Sequence, residues 1–365
     1  MRQDSINIVN DLLQFIKKND GSAFNEMALK LFRFQFQYNL AYKKLCQTKR
    51  KTPLTVKNWP QIPPIPIQGF KAVTLVCEPP EEAEAVFTTS GTTNPNAKGK
   101  NYHPTLSVWD ASMKHPFKKY VLPDVEKMTI FVISPAADLN QNSSLSRYLS
   151  NAIAFFGAEN SRIFFTEKGL DMKAVAAGLK GCEDRGEPVM LMGATFAYVH
   201  LLDYLREQNL HFQLAEGSRI FDTGGFKGQS REVEMEQLYK MFAEFFHVER
   251  NWVINMYGMT ELSSQIYDQT ILSTFESGQT IFDKTGPFWV KTVILDTNTL
   301  EPVPDGEVGV IAHYDLANWN SCLAILTEDI GYRTEHGFVL LGRVQGSEAR
   351  GCSIAVDQLL QANRT

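Results

Sequence analysis

The sequence predicts an α/β fold: a large domain of mostly parallel sheets flanked by helices, plus a small β-rich C-terminal subdomain. Three observations carry this expectation. Apolar runs of strand length alternate with helix-period segments from about residue 70. Those runs are continuously apolar rather than alternating, as in strands buried on both faces of a parallel sheet. After about residue 284 the runs shorten, and turns such as Pro304-Asp305-Gly306-Glu307 separate them.

Residues 5–50 read as helical, with Ile8, Leu12, Phe15 and Ile16 at helical spacing and Leu31, Phe34, Tyr38, Ala41 and Leu45 continuing the pattern. The connector Trp59-Pro60-Gln61-Ile62-Pro63-Pro64-Ile65-Pro66 favours extended backbone. Strand candidates follow at 85–89, 128–134, 162–166, 189–193 and 219–223, with helices between them at 198–207 and 232–246. Shorter strands are expected at 290–295, 309–314 and 337–341. These shifts suggest a helical region over 1–60, an α/β core over 61–283, a β-rich subdomain over 284–345 and a short tail over 346–365.

The chain has 365 residues, a net charge of -5 and 44% hydrophobic residues, enough for a large core. Mild acidity argues against a nucleic-acid partner. No apolar run reaches the ~18 residues of a membrane span, and the N-terminus lacks a signal-peptide core. The cysteines Cys46, Cys77, Cys182, Cys322 and Cys352 are scattered and show no CxxC spacing, so a reducing cytoplasm is expected.

Four segments carry candidate chemistry. In Phe87-Thr88-Thr89-Ser90-Gly91-Thr92-Thr93-Asn94-Pro95-Asn96-Ala97-Lys98-Gly99-Lys100, hydroxyls surround a glycine and lysines follow. Small residues let backbone N–H groups approach a polyphosphate, and hydroxyls and lysines add donors and charge. The segment cannot be aligned to a Walker A loop, and a flexible turn is the plain alternative. In Ile254-Asn255-Met256-Tyr257-Gly258-Met259-Thr260-Glu261, Tyr257 could stack on a purine, Thr260 could bond phosphate and Glu261 could hold Mg²⁺. A capped strand-to-helix turn explains that string equally well. Asp222-Thr223-Gly224-Gly225-Phe226-Lys227 offers adjacent glycines for close approach to a flat ligand, or a tight turn. In Leu326-Thr327-Glu328-Asp329-Ile330-Gly331-Tyr332 and Leu341-Gly342-Arg343, Asp329 could accept ribose hydroxyls and Arg343 could meet phosphate or ribose.

In this order, the segments resemble the adenylate-forming superfamily of acyl-CoA synthetases, luciferases and peptide-synthetase adenylation domains. Thr89-Ser90-Gly91-Thr92-Thr93 looks like its phosphate loop, and Tyr257-Gly258-Met259-Thr260-Glu261 like its tyrosine-glycine-x-threonine-glutamate motif. Glu328-Asp329 resembles the ribose-binding acidic motif, Gly342-Arg343 the segment before the hinge, and Gly224-Gly225 the adenine-side loop. A narrower resemblance is to the LuxE-type acyl-protein synthetases. It rests on Pro64-Ile65-Pro66-Ile67-Gln68-Gly69-Phe70-Lys71, Gly193-Ala194-Thr195-Phe196-Ala197-Tyr198-Val199-His200 and Gly346-Ser347-Glu348-Ala349-Arg350-Gly351-Cys352-Ser353.

The resemblance implies ATP and Mg²⁺, a carboxylic and especially fatty acid substrate, and an acyl-AMP. It implies acyl transfer to Cys352 and then to a reductase or carrier protein. It assigns catalysis to Thr260, Glu261 and Cys352, with Glu261 also at the metal. Nucleotide contacts fall to Thr89, Ser90, Gly91, Thr92, Thr93, Lys98, Gly224, Gly225, Phe226, Tyr257, Gly258, Asp329 and Arg343. The chain departs from the superfamily after the loop, where Asn94-Pro95-Asn96-Ala97-Lys98 replaces the usual glycine and proline-lysine. Only 22 residues follow Arg343, too few for the usual mobile domain of roughly 100 residues, which suggests the short form.

A lone tail cysteine is ordinarily inert; the resemblance makes Cys352 the acyl acceptor, with Gly351 giving mobility and Arg350 favouring thiolate. Cys77 and Cys322 read as packing residues, and His200 as a packed histidine. Two other functions stay open: direct transfer to coenzyme A or a carrier thiol, and a nucleotide-binding subunit without turnover.

Overall fold

A computed structural model describes residues 1–89, 98–225, 230–343 and 350–364. The chain forms two compact units.

One unit comprises Met113–Gly258 and Ile266–Phe282. Its sheet runs in the order Arg162–Ile163, Thr129–Val132, Val189–Ala194, Arg219–Thr223, Val253–Tyr257 and Ile266–Asp268. The first five are parallel and the last is antiparallel. Every residue of Thr129–Val132, Val189–Ala194 and Arg219–Thr223 is buried, as their apolar sequences require. The helices Met172–Arg185, Thr195–Glu207 and Met235–Phe246 cover one core with Leu191, Leu202, Ile220 and Phe242. Arg219, the first residue of its strand, is buried, and Asp124 accepts from its guanidinium at 2.8 and 2.9 Å. His200 corrects the sequence reading: it is exposed, while Tyr198, Leu201 and Leu205 of the same helix are buried. Helical periodicity sends His200 to the other face.

The other unit comprises Met1–Ser112, Met259–Gln265 and Asp283–Thr365. Its strands Val290–Leu295, Gly309–Asp315, Ala324–Arg333, Phe338–Arg343 and Lys284–Thr285 pair antiparallel in that order. Ile65–Pro66, where the proline-rich connector ends, pairs parallel with Ala324–Arg333. The helices Gln3–Lys18, Phe24–Tyr38 and Leu40–Thr48 bury the predicted apolar face, including Leu12, Leu31 and Leu45. The single helical run expected through residue 45 breaks at Asn39, whose side chain caps the next helix by accepting from Tyr42 N at 3.1 Å.

The sequence division at 283 falls one residue from the change of unit between Phe282 and Asp283, whereas those at 60 and 345 fall inside one unit, because hydrophobic period does not say which segments pack together. Gln35 donates to the carbonyls of Asn318 and Trp319 at 2.9 and 3.0 Å, tying the N-terminal helices to the β-rich segment. Residues 61–112 join the same unit. The expected tail is largely a helix, Arg350–Asn363, packed on Leu40–Thr48. Among the described residues no helix is long and apolar enough to cross a membrane.

Candidate active site

Ala85–Thr88 and Lys100–His103 pair antiparallel, and the hydroxyl-rich segment connects them in sequence. Its ends are fastened by reciprocal bonds: Thr89 N donates to the Gly99 carbonyl at 3.0 Å, and Gly99 N to Thr89 Oγ1 at 2.9 Å. The intervening candidates Ser90, Gly91, Thr92 and Thr93 lie outside the described residues, as does Phe226. Lys98 is half-buried beside the closure. Gly99 sits at a close approach of three side chains. A Cβ there would lie 3.0 Å from Thr89 Cγ2, 3.3 Å from Glu261 Oε1 and 3.5 Å from Lys71 Cγ. One end of the segment therefore lies against Glu261.

Glu261 is buried on a segment held by side chains from elsewhere in the same unit. The Asn318 amide donates to the Glu261 carbonyl at 2.9 Å, and the Asn101 amide to the Thr260 carbonyl at 3.1 Å. Asp315 accepts from Ser263 N at 2.9 Å and from Ser264 N and Oγ at 2.8 and 2.7 Å. The Thr260 hydroxyl donates to the Thr88 carbonyl at 3.4 Å, linking this segment to Ala85–Thr88. Burial pushes the Glu261 carboxyl up to about 7; Lys71 and Arg343 pull it back, and Asp329 pushes it further. Lys71, Asn101, Asp315 and Asn318 were missed as contributors. Only Lys71 carried a usable signal, a cation inside a segment already singled out.

Asp329 and Arg343 are register partners on neighbouring strands, and Arg343 Nε donates to Asp329 Oδ1 at 3.2 Å. Asp329 is buried and Arg343 exposed. The edge of Ala324–Arg333 is shared: Ile65–Pro66 pairs with Ile325 and Leu326, and Phe338–Arg343 pairs from Asp329 onward. Among the described residues neither strand pairs with Thr327 or Glu328. Cys352 sits at this interval. Its thiol donates at 3.7 Å to the Thr327 carbonyl, and it lines a cavity of about 220 Å³ with Pro66, Ile67, Gln68, Glu328 and Val356.

Two expectations about Cys352 are corrected. Gly351 serves close packing rather than mobility: its N–H donates to the Thr297 carbonyl at 2.8 Å, and a Cβ would come within 2.6 Å of that oxygen. The thiol is raised to about 11 by burial first and by Glu328 second, not lowered toward thiolate.

The remaining candidates belong to the parallel-sheet unit. Gly224 and Gly225 follow the C-terminal end of Arg219–Thr223, the edge where open α/β sheets bind ligands. Gly224 has φ of 76°, and no described residue comes within 4 Å of the Cβ position of Gly225. Tyr257 is half-buried at the end of Val253–Tyr257, and Gly258 is exposed. Asp222, fully buried, accepts from Thr195 Oγ1 at 2.8 Å and Asn255 Nδ2 at 3.0 Å, fixing the ends of these strands.

A family model described as "Acyl-protein synthetase, LuxE" matches residues 3–361. The chain belongs to the LuxE acyl-protein synthetase family. Two relatives are long-chain-fatty-acid–luciferin-component ligases. That of Vibrio harveyi is 23% identical, covering 91% of this chain and 86% of its own. That of Aliivibrio fischeri is 22% identical, covering 97% and 95%. A 2-hydroxyisobutyryl-CoA ligase in its postadenylation state, bound to R3-HIB-AMP, superposes with a TM-score of 0.63 at 14% identity, covering 88% of this chain and 68% of that one. ATP-bound MatB from Rhodopseudomonas palustris gives 0.50 at 16% identity, covering 73% and 49%, so the matched region is about half of MatB. These structural likenesses establish the fold. As the resemblance implied, this LuxE-family chain has an α/β fold of adenylate-forming type. It is an enzyme of the ligase class.

The five cysteines of this LuxE-family protein are free thiols and all are buried. Cys77 and Cys322 sit in the core, consistent with packing.

Proposed function

We propose that this chain activates a carboxylic acid with ATP, forming an acyl-AMP, and transfers the acyl group to the Cys352 thiol and then to a partner. The relatives' names make a long-chain fatty acid the first substrate to test. The observation that carries the reading is the cluster around Glu261. A buried carboxyl lies against one end of a hydroxyl-rich segment, with electrostatic contact to Lys71, Arg343 and Asp329.

In this reading residues 89–99 bind the ATP phosphates, with Lys98 as the cation nearest the loop's closure. Gly224, Gly225, Phe226 and Tyr257 contact adenine, Asp329 holds ribose, and Arg343 meets ribose or phosphate. The donor chemistry at Glu261 fits Mg²⁺. Burial makes its ionised form costly without a counter-charge, and Mg²⁺ commonly takes one or two carboxylates plus substrate phosphates. When bound, Mg²⁺ supplies neutralisation of phosphate charge. The substrate carboxylate is already ionised at neutral pH, so its oxygen attacks the α-phosphorus without a general base, and pyrophosphate leaves. Positioning by Thr260, Lys98 and Arg343 supplies most of the rate. A cytoplasmic location and an acyl-accepting reductase or carrier complete the reading.

A second reading, direct transfer to coenzyme A or a carrier thiol, is favoured by one observation: Cys352 is only 7% exposed and its thiol is strongly protonated. One experiment separates the readings. The protein is incubated with Mg²⁺, ATP and an acid panel, pyrophosphate–ATP exchange is measured, and acyl mass is located by peptide mapping. Acid-dependent exchange with label on Cys352 supports the first reading. Exchange without that label, but with thioester on an added thiol, supports the second. No exchange with any acid would leave a nucleotide-binding subunit without turnover.

A further inference from the structure

The cavity beside Cys352 contains a polar pair outside the roles assigned above. Successive residues of a strand point to opposite faces, so Glu328 and Asp329 part company. Asp329 engages Arg343. Glu328 accepts the Gln68 side-chain amide at 2.6 Å. Gln68, Glu328 and Cys352 all line the same cavity of about 220 Å³. The Cys352 thiol reaches the carbonyl of Thr327, the residue just before Glu328. Among the described residues no lysine, arginine or histidine lines this space. Burial pushes the thiol up to about 11, and none of these described residues offers a cation to a thiolate. Sulfur therefore meets the acyl group as S–H, and transfer must move a proton. Two carboxylates, Glu328 and Asp357, line the cavity. Among the described residues Glu328 is the one held by a side-chain hydrogen bond, and its charge acts on the thiol.

We propose that Glu328 is the general base for acyl capture by Cys352, with Gln68 as its positioning residue. This rests on the reading of Cys352 as acyl acceptor. As the sulfur–carbon bond forms at the acyl carbonyl, the S–H proton passes to the Glu328 carboxylate. The carbonyl bond to AMP oxygen breaks, and AMP leaves as a phosphate anion that needs no proton from the protein. Glu328 later returns the proton to solvent. The contact with the Thr327 carbonyl places this thiol two residues along the strand from Asp329, about 7 Å at strand spacing.

The test supplies acyl-AMP preformed, so adenylation does not enter the readout, and follows single-turnover labelling of Cys352. Iodoacetamide alkylation of the same thiol is measured in parallel. Glu328→Gln removes a base and also a negative charge that raises the thiol, so the two rates should diverge. Acyl transfer falls about 100-fold, the low end for a positioned base, while alkylation at pH 8 speeds up. The variant rises about tenfold per pH unit, as hydroxide-limited attack requires, and more steeply than the wild type. Gln68→Ala lowers transfer severalfold. Transfer by Glu328→Gln at the wild-type rate would make Glu328 a neighbouring charge only and overturn the proposal. Loss of both rates would mark a collapsed or blocked thiol and would also overturn it. Wild-type label on another residue would overturn the acceptor reading and this proposal together; label on Cys352 with unchanged variant kinetics would overturn this proposal alone.

Discussion

Asn318 donates to the carbonyl of Glu261 at 2.9 Å and to the carbonyl of Cys322 at 2.8 Å, while its own oxygen accepts from Ser263 and Ser321. One buried amide thus joins the carboxylate-bearing turn to the β-rich segment. Asn318→Ala removes a donor from two buried carbonyls, of which that of Glu261 keeps the Asn101 amide at 3.4 Å, and an acceptor from Ser263, Ser321 and Asn101. An unsatisfied buried group costs about 1–3 kcal/mol, so a stability loss of several kcal/mol is expected in urea denaturation. Where the variant still folds, exchange should lose kcat more than ATP affinity, because the turn's position rather than the loop's donors has changed.

Glu261 makes apoprotein stability depend on pH with a definite sign. Burial pushes its carboxyl up to about 7 in the folded chain, above the ordinary value of 4.5. The stabilising contribution is complete below about 4.5 and is lost as pH rises through about 7. Without nucleotide, this group should cost on the order of 3 kcal/mol between pH 5 and 8. Glu261→Gln should flatten that part of the profile and abolish exchange. Mg²⁺ with ATP favours the ionised form, so ligand should raise the wild-type melting temperature more at pH 8 than at pH 6. Equal shifts at both pH values would contradict a carboxylate role at the metal.

The Arg343–Asp329 pair should matter to binding far more than to folding. Arg343 is 72% exposed in side-chain area, and such pairs contribute about 0–1 kcal/mol. Arg343→Ala should therefore leave the denaturation midpoint nearly unchanged while raising KM for ATP about tenfold, the loss of one charge-assisted contact. Measured together, stability and KM separate a ligand contact from a surface ion pair.

Much of the fold was legible because buried parallel strands are continuous apolar strings, as in Val189–Ala194 and Arg219–Thr223. The Thr260-Glu261 string was legible because it is local. Its supports were not: Asn101 and Asn318 are ordinary polar residues, separated in sequence from Thr260 and Glu261 by 159 and 57 positions. Nor did composition reveal that Glu328 and Asp329 have separate partners. The C-terminal helix was readable but overlooked: buried Cys352, Ala355 and Leu359 recur at helical spacing.

The same helix yields a prediction about thiol access. Leu359 is fully buried, and a Cβ on Gly69 would lie 2.7 Å from its Cδ2. Such a distance forces Leu359 or the helix itself to shift. Gly69→Ala should cost about 1–3 kcal/mol, as overpacking does. Displacing Arg350–Asn363 should also expose Cys352, whose low reactivity follows from burial and a thiol raised to about 11. Alkylation of Cys352, followed by mass spectrometry at fixed pH, should accelerate severalfold, while the core residue Cys322 stays unlabelled. Leu359→Ala should also accelerate labelling, but by removing packing rather than crowding it, with a stability loss of about 2–5 kcal/mol. Unchanged Cys352 labelling in both variants would mean that the docked helix does not control access to the thiol.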